Sequence, residues 1–243
     1  MADKSKDKSD IVVSPAIPED MKISVGEGER RLPVYLLLDI SGSMAGAPIE
    51  AVRRGLEQFK LEVQGDTYAL ETAWVGIITF GGRAEFVTKG LIPFHEFIPP
   101  QLTAGGQTPL GQALWLLIES LDKDLRRPVK GGLKGDWRPL VFILTDGEPT
   151  DDWREPREKI LQREKAKVCK AITVGCGPYI NQQNLRDIAI GETFNMDMDN
   201  ASFHKLFEWV SSLVKEESKS CSRTGGTLEK TISPPADFIQ PTF

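Results

Sequence analysis

The chain has 243 residues, a formal net charge of −5 and 27% charged residues, which is typical of one globular α/β domain with flanking segments. The acidic balance, without a face of clustered Lys and Arg, argues against a nucleic-acid-binding protein. The apolar runs are much shorter than a membrane-spanning helix requires, and the first ten residues are polar, unlike a secretory signal. We therefore expect a cytoplasmic protein without membrane contact.

The pattern in the first part of the chain predicts a strand, a helix and a hairpin. Val34–Asp39 is a continuous apolar run that ends in a carboxylate, as expected for a central parallel strand buried on both faces. Pro48 suits the first turn of a helix with apolar residues at steps of three and four. This apolar face comprises Ile49, Val52, Leu56, Phe59 and Val63. A second strand is predicted over Trp74–Phe80, and the Gly81-Gly82 turn predicts an antiparallel edge strand over 84–89.

The second part alternates in the same way. Prolines between residues 93 and 100 predict irregular chain, and a helix is predicted to begin near Pro109. Pro139–Thr145 is the predicted fourth strand, and an acidic loop and a charged helix separate it from a fifth strand over Val168–Val174. The remaining predicted elements are a short helix over 181–190, an edge strand over 193–196 and an amphipathic helix over 202–214.

Alternating strands and helices with short connections predict one open, mostly parallel sheet covered by helices on both faces, a doubly wound α/β fold. Ligands of such sheets bind at the carboxyl ends of the strands, where the strand order reverses. We divide the chain into a flexible N-terminal arm over residues 1–30, one domain over 31–216 and a polar C-terminal tail over 217–243.

Oxygen-bearing side chains follow two of the predicted strands. Asp39 closes the first strand, Ser41 and Ser43 lie in the loop after it, and Asp146 closes the fourth strand. Thr108 lies in a Gly-rich loop directly before a helix. A buried carboxylate is costly without a partner, and a hard divalent cation is a natural partner for carboxylate and hydroxyl oxygens. The five side chains converge if the two strands are neighbours, which periodicity alone does not decide.

Three segments together resemble the metal-ion-dependent adhesion site (MIDAS) of von Willebrand factor type A (vWA) domains. They are 39–43 (DISGS), 105–111 (GGQTPLG) and 144–147 (LTDG). The resemblance extends from about Pro33 to Val214, in the order of the family. It implies a six-stranded, mostly parallel sheet of order 3-2-1-4-5-6 with one antiparallel edge strand. It also implies a metal site formed by Asp39, Ser41, Ser43, Thr108 and Asp146.

A narrower resemblance is to the TerY-type branch of bacterial tellurite-resistance proteins. It rests on residues 30–39 (RRLPVYLLLD), 48–52 (PIEAV), 68–73 (YALETA) and 78–82 (ITFGG). This resemblance implies an intracellular protein of a stress-response system. Its implied partners are Ser/Thr kinases or PP2C-type phosphatases.

The composition of the implied site favours metal-dependent binding over catalysis. Two carboxylates balance the charge of a divalent cation, and hydroxyl ligands add no further charge. The cation therefore stays electrophilic and can accept a Glu or Asp carboxylate from a partner protein. Mg²⁺ is the default ion, and Mn²⁺ suits the same oxygen ligands. We expect a non-enzymatic, metal-dependent protein-interaction module.

Two other functions remain open. The first is a Mg²⁺-dependent phosphohydrolase of the haloacid-dehalogenase type with Asp39 as nucleophile, because such enzymes also place acids at the ends of the first and fourth strands. They need an Asp two positions after the nucleophile as general acid, and Ser41, which occupies this position, is a poor proton donor near neutral pH. The second is a scaffold whose metal only rigidifies the loops.

The site residues also have simpler interpretations. Asp39 and the two serines could form a capping turn, Thr108 could cap the helix that follows, and Asp146 could belong to an ordinary turn. Trp153, in the loop after Asp146, is either a partner contact on the rim of the site or a packed loop residue.

Overall fold

A computed structural model describes residues 30–130, 134–146, 148–177, 180–222 and 232–241. The predicted N-terminal arm lies outside these ranges except for Arg30. The strands are β1 (Leu32–Asp39), β2 (Ala73–Gly81), β3 (Arg83–Phe86), β4 (Ile92–Pro93), β5 (Leu140–Thr145), β6 (Lys170–Cys176) and β7 (Glu192–Met196). The helices are α1 (Ala47–Gln64), α2 (Thr67–Thr72), α3 (Leu110–Lys123), α4 (Arg154–Lys165), α5 (Gln182–Ile188) and α6 (Asn200–Ser222).

The strands form one mixed sheet of order β3-β2-β1-β5-β6-β7, which confirms the predicted doubly wound fold and its strand order. All neighbours from β2 to β7 in this order are parallel, and β3 is antiparallel to β2 at the edge. The additional strand β4 also pairs antiparallel with β2. The sequence did not predict β4 because Pro93 occurs in it, but an edge position tolerates proline.

The strand β1 is the centre of the sheet, and all eight of its residues are buried. Its side chains alternate between two hydrophobic clusters, so that Leu36 packs beneath α1 and α6 while Leu37 packs beneath α3. In the parallel register Leu38 lies opposite Leu144 of β5. The strand order reverses between these two strands, which therefore form the switch point of the sheet.

The helix α6 extends beyond the predicted helix end at Val214 and beyond residue 217, where we placed the start of the tail. Its last turns carry few apolar side chains, so hydrophobic periodicity did not reveal them. Ion pairs link this part to α1 and the loop after it: Lys215 Nζ lies 3.1 Å from Glu62 Oε2, and Lys219 Nζ lies 3.1 Å from Asp66 Oδ2. The domain boundaries themselves stay a prediction.

The segment 232–241 packs against β7 and α6. Asn195 and Ile239 exchange two backbone hydrogen bonds of 2.8 and 3.0 Å. The buried ring of Phe238 makes an edge-to-face contact with Trp209, and Trp209 Nε1 donates to the carbonyl of Ile232. This segment therefore adds one bridge to the sheet at the β7 edge. No helix in the described ranges has the length and apolar character needed to cross a lipid bilayer.

Replacing Gly55 should destabilise the contact between α1 and α6. A Cβ atom at Gly55 would lie 2.0 Å from Cδ2 of Phe207, a ring that is buried. We expect Gly55→Ala to lower the free energy of unfolding by roughly 1–3 kcal/mol, although alanine is the better helix former. Urea denaturation followed by circular dichroism measures this change.

Gly65→Ala is the matched control, because its Cβ would meet nothing closer than 3.5 Å. We expect this variant to stay within about 0.5 kcal/mol of the wild type. Equal stability of the two variants would contradict the packing argument.

Candidate metal centre

The Asp39 carboxylate is fully buried at the carboxyl end of β1. Its Oδ1 accepts a hydrogen bond of 2.9 Å from the Ser41 N–H, and its Oδ2 accepts one of 2.8 Å from the Thr145 hydroxyl. The first bond turns the chain sharply after the strand. Residues Gly42–Met44 then form one turn of 3-10 helix, which carries Ser43 and precedes α1.

Two serines connect this carboxylate to the second acid. The hydroxyl oxygens of Ser41 and Ser43 are 3.0 Å apart, and the Ser43 hydroxyl donates to Oδ2 of Asp146. Asp146 follows β5 directly and is half-buried. The parallel pairing of β1 with β5 brings these four side chains together at one edge of the sheet, while the metal-ligand set stays a prediction.

The loop that carries Thr108 packs against the loop after β1. The Gly105 N–H donates to the carbonyl of Ile40 at 2.8 Å, and the Gly42 N–H donates to the carbonyl of Gly106 at 3.0 Å. Gly106 has φ +77°, and a Cβ atom there would lie 2.6 Å from the Gly82 Cα, so glycine is required. Thr108 is buried, and its described hydrogen bonds involve its backbone groups.

Burial raises the pKa of Asp39 to about 6, hydrogen bonds from Ser41 and Thr145 oppose this rise, and the nearby Asp146 carboxylate adds to it. The partners described for the Asp39 oxygens are an amide and a hydroxyl, neither of which carries charge. Asp39 is also absent from the ion pairs of the described residues. A divalent cation between the two acids would offset both the burial and the repulsion.

The donor atoms fit a hard cation. The hydrogen-bonded cluster offers the carboxylates of Asp39 and Asp146 and the hydroxyls of Ser41, Ser43 and Thr145. The described part of the chain contains no group of three or more His, Cys, Asp or Glu side chains arranged for a metal. Cys176 lies at the carboxyl end of β6, where burial, Asp39 and Asp146 all raise its thiol pKa well above the usual value. Cys176 also belongs to the buried hydrophobic core, whereas the hydrogen-bonded side chains of the site offer oxygen donors.

Sequence reasoning gave no role to three residues at this edge, namely Thr145, Thr150 and Asp151. The parallel register could have revealed Thr145, because Leu38 lies opposite Leu144 and the next residues of the two strands are Asp39 and Thr145. Trp153 is a packed loop residue: it is half-buried against the α3 side of the core, with the Arg154 guanidinium 4.9 Å from its ring centre.

The model of the von Willebrand factor type A domain matches residues 34–209. A von Willebrand factor A domain-containing protein of Dictyostelium discoideum is 24% identical over 238 residues, which cover 91% of this chain and 23% of that protein. The solved von Willebrand factor type A structure from Catenulispora acidiphila has 17% identity and a TM-score of 0.57, covering 76% of this chain and 43% of that chain.

Proximal thread matrix protein 1 of the mussel byssus, solved with a zinc-occupied MIDAS motif, has 19% identity and a TM-score of 0.53. The match covers 78% of this chain and 49% of that chain. This chain therefore spans less than half the length of each of these three relatives. At such low identities the two solved structures show a shared fold.

Removing the charge of Asp39 should stabilise the metal-free protein at neutral pH. Since the pKa of Asp39 rises from 3.8 to about 6 on folding, the folded protein binds this proton more tightly than the unfolded chain. As pH rises from about 4 to 6, the loss of the Asp39 proton by the unfolded chain therefore lowers the free energy of unfolding. We expect Asp39→Asn to exceed the wild type by on the order of 2–3 kcal/mol at pH 7.5 in EDTA, and by much less at pH 4.

Urea denaturation of both proteins at the two pH values measures this difference. An Asp39→Asn variant that is less stable than the wild type in EDTA at pH 7.5 would show that the buried charge is already compensated without metal.

Proposed function

The chain belongs to the von Willebrand factor type A domain family, and on this basis we propose that it is a non-enzymatic module that binds a partner protein through a divalent cation. One observation carries the proposal. Asp39 is a fully buried carboxylate with neutral hydrogen-bond partners, and hydroxyls connect it to Asp146 at the switch point of the sheet. Such an arrangement is costly by itself and becomes favourable when a cation is bound.

In this proposal the ligands are Asp39, Ser41, Ser43, Thr108 and Asp146, with water bound to some of the positions. The two acids supply the negative charge, and the hydroxyls supply neutral oxygens. The cation would supply an electrophilic position that a Glu or Asp carboxylate of the partner occupies. Mg²⁺ is the proposed ion and Mn²⁺ the second candidate. The zinc-occupied MIDAS of the mussel protein supports a divalent cation on this fold.

The identity of the partner is a further part of the proposal. The resemblance of residues 30–39 and 68–73 to the TerY-type branch supports a Ser/Thr kinase or a PP2C-type phosphatase in a tellurite-resistance-like stress response. The same resemblance supports a location in the cytoplasm.

Metal binding tests the ligand set directly. We expect isothermal titration calorimetry with Mn²⁺ to show one site in the wild type, with affinity weakened by more than about 100-fold in Asp39→Ala and Asp146→Ala. Asp122→Ala is the matched control, because Asp122 is an exposed acid on α3 that pairs with Arg163. Wild-type protein that binds no Mn²⁺ and no Mg²⁺ would overturn the proposed function.

Partner capture separates a bridging metal from one that only rigidifies the loops. In the bridging mode, proteins retained from a cell lysate on the immobilised chain in Mg²⁺ should be released by EDTA and should not bind the Asp146→Ala variant. A retained partner that stays bound in EDTA, while Mg²⁺ still raises the melting temperature, would favour the rigidifying role.

The phosphohydrolase alternative predicts turnover of a simple phosphate ester. We expect no Mg²⁺-dependent hydrolysis of p-nitrophenyl phosphate, because the residues after Asp39 supply no suitable general acid. The residue two positions on, Ser41, is a poor general acid. Mg²⁺-dependent hydrolysis that is abolished by Asp39→Asn would establish an enzyme instead.

A further inference from the structure

The helix α3 begins directly after the Thr108 loop, and its cap comes from another part of the chain. The residue at its own N-cap position, Pro109, makes no capping hydrogen bond with its side chain. Instead, both oxygens of Asp151 accept backbone hydrogen bonds of 2.9 Å, Oδ1 from Gly111 and Oδ2 from Gln112. A carboxylate at this position also interacts favourably with the helix dipole.

The preceding residue, Thr150, binds Thr108 itself. The Thr108 N–H donates to the Thr150 hydroxyl at 3.1 Å, and the Thr150 N–H donates to the Thr108 carbonyl at 2.9 Å. Both backbone groups of the predicted ligand are therefore held by the loop that also carries Asp146.

A glycine in the first turn of α3 permits this contact. A Cβ atom at Gly111 would lie 2.3 Å from the Asp152 carbonyl oxygen, so no side chain fits between the helix and the loop. Gly111 lies within the helix, where glycine costs roughly 1 kcal/mol relative to alanine. Close approach of the loop after β5 explains its presence.

The Thr108 loop thus lies between the two loops that carry the other ligands. On one side, backbone hydrogen bonds join Gly105 to Ile40, and Gly106 to Gly42, in the loop after β1. On the other side, Thr150 is hydrogen-bonded to Thr108, and Asp151 is hydrogen-bonded to the first turn of α3.

We propose that Thr150 and Asp151 form a clamp that positions Thr108 relative to Asp146 and thereby sets the affinity and the ion preference of the metal site. This inference rests on the proposed function. Charge-assisted hydrogen bonds are stronger than neutral ones, so loss of Asp151 frees the first turn of α3 and with it Thr108. Mg²⁺ requires near-ideal octahedral geometry, whereas Ca²⁺ accepts longer and more variable ligand distances. A loosened clamp therefore weakens Mg²⁺ binding more than Ca²⁺ binding.

Two variants release the clamp by different routes. Asp151→Ala removes the cap, while Gly111→Ala keeps the acid but displaces the 151–152 segment and favours the helix. We expect calorimetric titration to show about 10-fold weaker Mg²⁺ binding in each, with a smaller loss for Ca²⁺. Glu155→Gln is the control for charge, because Glu155 is an exposed acid in the first turn of α4 that pairs with Lys159. Gly65→Ala is the control for a methyl group, because Gly65 lies outside the three loops and its Cβ would meet nothing closer than 3.5 Å.

The clamp is established if both variants lose Mg²⁺ affinity and Mg²⁺-over-Ca²⁺ preference while both controls match the wild type. It is overturned if the variants melt at lower temperature in EDTA but bind both ions as the wild type does, because Asp151 is then only a helix cap. Wild-type protein that binds neither ion overturns the proposed function itself, which distinguishes the two failures.

Discussion

A single buried carboxylate, Asp39, constrains the architecture of the sheet edge. The strand that carries it is buried along its whole length, so the charge has no access to solvent. Any fold that keeps β1 central must therefore supply polar groups at that point. The amide of Ser41 and the hydroxyl of Thr145 meet this requirement in part, but neither carries charge, and burial still raises the pKa of Asp39.

The three loops at this edge are joined to one another by hydrogen bonds. Backbone hydrogen bonds join the loop after β1 to the Thr108 loop, and the Thr108 loop to the loop after β5. Gly111 permits the second approach, because a Cβ atom there would overlap with the Asp152 carbonyl oxygen, and Gly106 permits close packing of the Thr108 loop on Gly82 in the turn after β2. The ligand-bearing loops are therefore linked to one another directly by short backbone and side-chain hydrogen bonds.

The features that the sequence predicted are those with a local signature. The apolar run of β1, the acid at its end and the hydroxyls after it are adjacent in the chain, and the helix faces follow a regular period. The adjacency of β1 and β5 came from a family resemblance, since strand pairing depends on distant residues. The clamp formed by Asp151 could not be predicted, because its partners lie 39 and 40 residues away and any surface Asp looks the same in a sequence. The same limit applies to the end of α6, where ion pairs with distant acids replace an apolar face.

The segment 232–241 limits pairing between the sheets of two protein molecules in concentrated solution. A parallel sheet that ends in β7 presents unpaired N–H and C=O groups, which can pair with the sheet of another molecule. The bridge between Asn195 and Ile239 occupies part of this row, and Phe238 covers the apolar surface beside it. At the opposite edge, β3 is four residues long and carries the charged pair Arg83 and Glu85. The two edges of the sheet are thus protected from pairing with another molecule in different ways. The segment 232–241 covers part of β7, whereas β3 is short and charged.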